Sequence, residues 1–214
     1  MKNLDRKLWR NNHLVCGVDE VGRGALAGPV VAAAVVLSPG TRIPAVRDSK
    51  ILTPLTRKYL ANVIKRRAIA WSIGAAGNRF IDRHNIAQAT FYAMRRAVMK
   101  VYSQLARKDN PASLIVIAEG RKIPDLPLPC EGIINGDSRS ITIASASIIA
   151  KVFRDELMIK IDRRFPGYGL AQHKGYGTPQ HIQAIRQHGV IPFHRRTFEP
   201  IRTFVEHSSA RSYE

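Results

Sequence analysis

The sequence predicts an α/β layered domain, a central mixed β-sheet flanked by helices with a helical C-terminal part. Two observations carry this. Strand-like runs come first and helical periodicity comes after them, and the second apolar run, Pro29 to Leu37, directly succeeds the first, Leu14 to Val18. That order calls for a sheet that mixes antiparallel and parallel strands.

Taken in order, residues up to His13 are polar and read as a short lead-in. Leu14 to Val18 reads as a buried strand that stops at Asp19-Glu20, and Gly22, Gly24, Gly28 and Pro29 punctuate the segment after it. Pro29 to Leu37 is a Val/Ala strand, ended by the turn Ser38-Pro39-Gly40. Thr53 to Arg67 carries a helical stripe of Leu55, Leu60 and Val63 after Leu52. Ala68 to Ala76 reads as a strand. Asn85 to Ala106 reads as a helix, with Ile86, Phe91, Met94, Val98 and Tyr102 at helical steps. Leu114 to Ala118 is a strand ending at Glu119-Gly120, Pro124 to Pro129 a proline-rich loop, and Gly132 to Asn135 a short strand. Ile141 to Phe165 is a long helix that Ser138 or Ser140 would cap. Thr178 to His188 is a short helix. The expected organisation is one domain over residues 1–200, its helical C-terminal part starting at about 165, and a frayed polar tail over 201–214.

The chain of 214 residues has 34 Lys+Arg against 16 Asp+Glu, a net charge of +18. A compact chain this basic repels itself, so an anionic partner is the natural explanation, and nucleic acid comes first. A basic but solvated surface is the bland alternative. An anionic membrane surface comes second but lacks support, and the longest apolar run, Val30 to Leu37, is far too short to span a bilayer. Cys16 and Cys130 form no CxxC and read as small hydrophobes. The polar start lacks an apolar signal core, so a cytoplasmic location is expected.

The few acids sit where apolar strands finish: Asp19 and Glu20 after the first, Glu119 after Leu114–Ala118, Asp137 after Gly132–Asn135. Ends of neighbouring strands lie close together in layered α/β folds. Carboxylates converging there would repel one another unless a cation sat between them, and hard oxygen ligands suit Mg2+ or Mn2+. Because strand neighbours point to opposite faces, Asp19 and Glu20 are expected to share a site only if the strand ends between them. The same acids could instead pair with the abundant arginines and lysines; spacing alone leaves both readings open.

The stretch Gly17-Val18-Asp19-Glu20-Val21-Gly22-Arg23-Gly24-Ala25-Leu26-Ala27-Gly28-Pro29-Val30 resembles the DE-x-GRG-x-x-x-GP-V signature of type 2 ribonucleases H. Further segments resemble that family in the same order. They are Asp48-Ser49-Lys50; Gly136-Asp137 followed by Ala144 to Lys151 and Arg154-Asp155; Lys174-Gly175-Tyr176-Gly177-Thr178 with His181; and His194-Arg195-Arg196-Thr197-Phe198. The resemblance runs from about Val15 to Pro200 and implies a ribonuclease H-like fold. It also implies a metal-dependent endonuclease that hydrolyses the RNA strand of RNA–DNA hybrids and cuts 5′ to ribonucleotides embedded in duplex DNA. Two Mg2+ or Mn2+ ions would be held by Asp19, Glu20, Glu119 and Asp137, leaving 5′-phosphate and 3′-hydroxyl ends. At the third of these positions the family normally has Asp. Glu119 keeps the charge but adds a methylene, which opens a second reading: a hybrid-binding protein with weakened catalysis.

The resemblance further implies that Gly22, Arg23 and Gly24 read the ribose 2′-hydroxyl and that Tyr176 contacts the same group and stacks on the adjoining deoxyribose. Taken alone, Tyr176 reads as a packing residue. Arg47, Lys50, Lys151 and Lys174 are candidate phosphate contacts, and Ser147 and Lys151, one helical turn apart, share a face that begins near Asp137. Lys65-Arg66-Arg67 and Arg195-Arg196 are expected to add sequence-independent affinity. His173, His181, His188 and His194 fit no zinc spacing and read as capping, packing or backbone-contact residues. A sliding clamp partners some relatives, although the tail here shows no clear clamp-binding motif. A monomer is expected, since nothing in the sequence marks an apolar interface. A generic basic binder without hybrid preference would leave the strand-end acids unexplained. The sister type 3 enzymes usually carry a domain-sized N-terminal extension, for which the stretch before His13 leaves no room.

Overall fold

The computed structural model describes residues 3–11, 13–46, 52–107 and 113–210. The first half of the chain alternates strands and helices: α1 (Asn3–Arg10), β1 (Leu14–Val21), β2 (Val30–Leu37), α2 (Pro54–Arg67), β3 (Ala68–Ala76) and α3 (Asn78–Ala106). Then come β4 (Leu114–Glu119), β5 (Cys130–Ile133), α4 (Gly136–Arg139), α5 (Ile141–Arg164), α6 (Leu170–His173), α7 (Pro179–His188) and α8 (Ile201–Ala210). The strands form one mixed sheet in the order β3-β2-β1-β4-β5. β1 runs antiparallel to β2 and parallel to β4, and β4 runs parallel to β5. The expected architecture is therefore the one observed, and the two all-apolar runs lie inside the sheet because nearly every side chain they carry is buried.

The chain divides into two compact units. The first comprises residues 1–21, 31–75 and 90–152 and contains the sheet. Alternate residues of β2, Ala33, Val35 and Leu37, pack with Leu60 and Ile64 of α2 and with Ala144 and Ile148 of α5. Gly17 fixes how close α5 comes to β1. A Cβ there would lie 2.3 Å from the backbone nitrogen of Ile143, so only glycine admits the helix at this depth. Gly74 does the same for α3, at 2.0 Å from the carbonyl oxygen of Ala93.

The second unit comprises residues 22–30, 76–89 and 153–214. Its core gathers Met158 and Ile161 of α5, Ala184 and Ile185 of α7, Ile201 of α8, Tyr168, Leu170, and Leu26 and Ala27.

Several boundaries differ from expectation for identifiable reasons. The lead-in is helical at Asn3–Arg10: Leu4, Leu8 and Trp9 pack on Val15, Ile117, Ile133 and Ile143. Its buried Asp5 accepts the Ile141 and Thr142 N–H groups and both the Ser140 and Thr142 hydroxyls. Of the two expected caps of α5, Ser140 is the one used, accepting the Ile143 N–H at 3.1 Å. α3 starts at Asn78 and is interrupted at Asn85, whose φ of 63° breaks the helix. Its Oδ1 then accepts the Ala87 and Gln88 N–H groups, so Asn85 does cap a helix, but as the second of two joined segments. β5 occupies Cys130–Ile133, earlier than the expected Gly132 to Asn135, and Asn135 adopts the left-handed conformation that leads into α4. Residues 201–210, expected as tail, are helical, because Ile201, Phe204 and Val205 fall at helical spacing against the second unit's core.

Candidate active site

The acidic residues of the first unit are placed by β1, β4 and α4. Val18 lies opposite Ala118 in the parallel β1–β4 pair, so Asp19 and Glu119 are the next residues on adjoining strands, which run about 4.8 Å apart. β1 does not end between Asp19 and Glu20: it continues to Val21, with Asp19 opposite Ala33 and Glu20 opposite Ala32. The expected break is therefore absent, because β2 supplies partners for the strand beyond both acids. Asp19 is 7% exposed and Glu20 half-buried.

The carboxylates feel one another. Burial, then the charge of Glu20 and more weakly that of Glu119, pushes the Asp19 carboxyl well above the ordinary carboxylate range. The Ser147 hydroxyl and the Glu20 N–H, the latter at 2.7 Å, act against that rise. Ser147 reaches Asp19 by simple geometry. Gly17 and Asp19 share a face of β1, Ile143 and Ser147 share a face of α5, and Gly17 lets the two faces meet. Glu119 is raised by burial, with the charges of Asp137 and Glu20 adding to it. Its Oε2 accepts the Asp137 N–H at 2.9 Å, at the N-terminal end of α4. Gly136 is tight against the same oxygen, since a Cβ there would stand 3.0 Å from it.

In the second unit, Gly22–Pro29 and Lys174–Tyr176 are laced together. Ala25 bridges Tyr176, the Leu26 and Ala27 N–H groups reach the Gly175 carbonyl, and Ala27 bridges His194. Arg154 and Arg195, both wholly buried, spread their guanidiniums over carbonyls of these segments. Behind them His173 stacks on His181 at 4.3 Å, and His181 Nε2 lies 3.1 Å from His194 Nε2.

Residues 16–201 match the family model of ribonuclease HII. The chain belongs to the ribonuclease HII family. It is 49% identical over 201 residues to the ribonuclease HII of Myxococcus xanthus, an alignment that takes in 93% of the chain and 66% of that protein. It is 47% identical over 196 residues to the ribonuclease HII of Dehalococcoides mccartyi strain BAV1, covering 90% of the chain and 89% of the relative. Among solved structures, ribonuclease H2 from Pyrococcus horikoshii shares the fold, with TM-score 0.68 at 23% identity over 91% of this chain and 98% of that one. The ribonuclease HII of Archaeoglobus fulgidus, solved with PCNA, gives TM-score 0.67 at 21% identity over 87% and 95% of the two chains. A ribonuclease HIII solved with Mn2+ gives 0.68 at 20% identity over 94% and 71%. Ribonucleases HII are metal-dependent endoribonucleases that cleave RNA in RNA–DNA hybrids, and this chain is an enzyme of that class. The alternative of a hybrid binder that does not cut finds no support: the relatives are named as ribonucleases.

A ribonuclease HII needs a divalent ion, and the donor set here suits one. Every candidate ligand is a hard carboxylate oxygen, and burial together with mutual repulsion raises Asp19 and Glu119, a strain that a cation would relieve. Among the described residues, no three His, Cys, Asp or Glu side chains already stand as a closed ligand set. The fit therefore rests on donor chemistry and charge.

Several residues singled out by sequence occupy more particular places than expected. Ser147 is buried on Asp19 rather than presented to solvent. The Lys174 ammonium donates to the Ala171 carbonyl, while its own carbonyl accepts from Arg154. Lys151 is half-buried on α5. Arg23 and Gly24 are exposed, Gly22 is buried and Tyr176 half-buried. Arg47 and Lys50 lie outside the described residues. Arg195 is corrected: it is not part of a surface patch, since its guanidinium is enclosed by Gly22, Arg23 and Gly28 carbonyls. Of the roles expected for the histidines, backbone contact is filled by His173, His181 and His194, while the His188 ring packs on Tyr168. His173 Nδ1 accepts the Gly175 N–H, and His181 Nδ1 lies 3.0 Å from the Tyr176 carbonyl. Sequence reasoning passed over Asp5, whose capping role has no local periodic signal.

No helix among the described residues is long and apolar enough to cross a membrane.

Proposed function

We propose that this ribonuclease HII cuts the RNA strand of RNA–DNA hybrids and, in duplex DNA, on the 5′ side of an embedded ribonucleotide, leaving 5′-phosphate and 3′-hydroxyl ends. The observation that carries the reading is the gathering of Asp19 and Glu20 on β1 with Glu119 at the end of the adjoining β4, and of Asp137 at the start of α4 with its N–H on Glu119, in a chain of net charge +18. These four would hold two divalent ions, Mg2+ or Mn2+; the Mn2+ bound by the ribonuclease HIII neighbour supports that choice. When bound, such a pair supplies water activation and stabilisation of the departing 3′-oxygen.

The chain's own residues do the rest. Asp19, buried and accepting two hydrogen bonds, one of them from Ser147, would hold the ions most centrally, and we assign Ser147 to holding that carboxylate. The Asp137 N–H fixes Glu119. Gly22, Arg23 and Gly24 read the 2′-hydroxyl through the backbone, and Tyr176 contacts it and stacks on the next deoxyribose; the 2′-hydroxyl is what distinguishes RNA from DNA. Arg47, Lys50, Lys151 and Lys174 serve the phosphates, with the salt dependence that such contacts bring. The protein works as a cytoplasmic monomer. The archaeal relative solved with PCNA makes a sliding clamp its candidate partner.

The test is a labelled DNA duplex with one embedded ribonucleotide, incubated with Mg2+, with Mn2+ and with chelator, beside the Asp19→Asn variant. Metal-dependent cleavage 5′ to the ribonucleotide, lost in the variant, is expected. Cleavage on the other side, or in chelator, overturns the reading.

A further inference from the structure

Gly22 and Gly24 do different work. Gly22 has φ of 89°, and a Cβ built on it would stand 2.1 Å from Arg154 Nε, so this glycine is required by the arginine behind it. Gly24 has no such neighbour: among the described residues nothing lies within 4 Å of its Cβ position, and its backbone is exposed. Packing within the protein therefore does not call for glycine at residue 24, and its bare backbone is open to the close approach of another molecule.

Arg195 sets the direction of the peptides between them. Its Nη2 donates to the Gly22 carbonyl and its Nη1 to the Arg23 carbonyl, both at 2.6 Å, while Nε donates to Gly28 at 3.0 Å. Neither peptide precedes a proline, so both are trans, and in a trans peptide the N–H points opposite to the C=O. With both carbonyls turned onto one guanidinium, the N–H groups of Arg23 and Gly24 face away from it, as two consecutive donors. Arg154 ties the second reading element to the first. It donates to Ala27 at 3.1 Å, to Pro29 at 3.0 Å and to Lys174 at 2.9 Å, and its guanidinium lies 5.5 Å from the Tyr176 ring centre.

Such an arrangement is costly. Both side chains are fully buried, and burial, followed by the charge of Arg154, brings Arg195 down to about 9. A lysine could not replace either, since one ammonium cannot reach three carbonyls in a fixed fork.

We propose that Arg195 and Arg154 are positioning residues for ribonucleotide recognition: Arg195 aims the Arg23 and Gly24 N–H groups as one donor pair, and Arg154 holds Tyr176 in register with it. This rests on the reading of Gly22–Gly24 and Tyr176 as the 2′-hydroxyl contact. Misplacement by about 1 Å at such a site costs on the order of a hundredfold in rate. The loss falls hardest on a substrate recognised through a single ribonucleotide. A long hybrid offers a 2′-hydroxyl at every RNA position and does not depend on the RNA–DNA junction at which Tyr176 stacks.

The experiment measures kcat/KM on a duplex with one embedded ribonucleotide and on an all-RNA/DNA hybrid, for the full chain, well below each variant's Tm. The variants are Arg195→Lys, Arg154→Lys, Gly24→Ala and Tyr176→Ala. The single-ribonucleotide to hybrid ratio should fall about tenfold or more in the two arginine variants. It should fall likewise in Gly24→Ala, whose Tm stays at the wild-type value. Equal loss on both substrates, or none, in Arg195→Lys and Arg154→Lys while Gly24→Ala and Tyr176→Ala shift the ratio overturns the positioning role alone. An unmoved ratio in Gly24→Ala and Tyr176→Ala overturns the underlying 2′-hydroxyl reading, and the proposal with it.

Discussion

Glu119 Oε2 accepts the backbone N–H of Asp137 at 2.9 Å. In the proposed site this contact accounts for a glutamate where the family resemblance places an aspartate: the extra methylene carries the carboxylate onto the first turn of α4. Glu119→Asp withdraws the oxygens by about a bond length and loses that donor, so metal-dependent cleavage should drop roughly ten- to a hundredfold. Glu119→Gln retains an amide oxygen for the Asp137 N–H but removes the charge. In chelator it should melt at or slightly above the wild-type Tm, since burial raises this carboxyl, and it should lose at least about a hundredfold in rate. Steady-state cleavage and thermal melting, measured side by side, check both; a Glu119→Asp enzyme faster than wild type would show that the reach to Asp137 is a handicap.

Burial of the Asp19 carboxyl costs the fold stability wherever that group must ionise. Its pKa is raised in the folded chain, mainly by burial and next by Glu20. The folded state therefore holds its proton where the unfolded state has lost it, so stability is full below the ordinary carboxylate pKa and is lost as pH rises through the raised value. In chelator at pH 8, Asp19→Asn should therefore melt a few degrees above wild type. Mg2+ or Mn2+ should raise the Tm of wild type and leave that of Asp19→Asn nearly unchanged, since binding stabilises only what it binds. Differential scanning calorimetry with and without metal decides it, and equal metal shifts in both proteins would remove Asp19 from the binding set.

Periodicity is the part of this fold that was legible in the sequence. β1 and β2 announced themselves as unbroken apolar runs, and the acids Asp19, Glu119 and Asp137 stood out by following such runs. Glu20 was harder, because strand alternation argues against its sharing a site with Asp19. The structure shows no break in β1, and the two interact through their charge. Arg154 and Arg195 were visible only as members of motifs. An arginine reads as surface by composition, and its burial becomes apparent only once a set of backbone carbonyls has been brought round it from distant parts of the chain. Gly17 was read as part of a signature, while its contact with α5 depends on a helix more than a hundred residues away in sequence.

Asp5 is the N-terminal anchor of α5. Two N–H groups and two hydroxyls converge on this carboxylate, and it is fully buried. Asp5→Ala leaves those donors unsatisfied and should cost about 2–3 kcal/mol, beyond an ordinary cap because the acceptor is charged. That corresponds to a Tm lowered by roughly 5–10 °C in a chain of this size. Asp5→Asn, which keeps one acceptor oxygen, should lose about half as much. Urea or thermal unfolding measures both; a shift under about 2 °C for Asp5→Ala would show that α5 is held by packing alone.

The buried histidines give the second unit an acid limit. Burial first, then neighbouring histidines, takes His181 down to about 4 and His194 to about 3. Both are neutral in the fold, and the 3.1 Å contact between their Nε2 atoms requires one to donate and the other to accept. For a base whose pKa is lowered by folding, stability is complete above the unfolded value near 6.5 and is lost as pH falls toward the folded values. Protonation of this coupled pair should therefore lower Tm clearly between pH 7 and pH 4.5. His194→Asn separates this from general acid unfolding. Its amide oxygen can still accept the Ile191 N–H, now made by His194 Nδ1 at 2.9 Å, but it cannot take up a proton. The variant should melt lower than wild type at pH 7 and yet lose less Tm between pH 7 and 4.5. A melting curve that steepens with acid as much as wild type would place the acid sensitivity elsewhere.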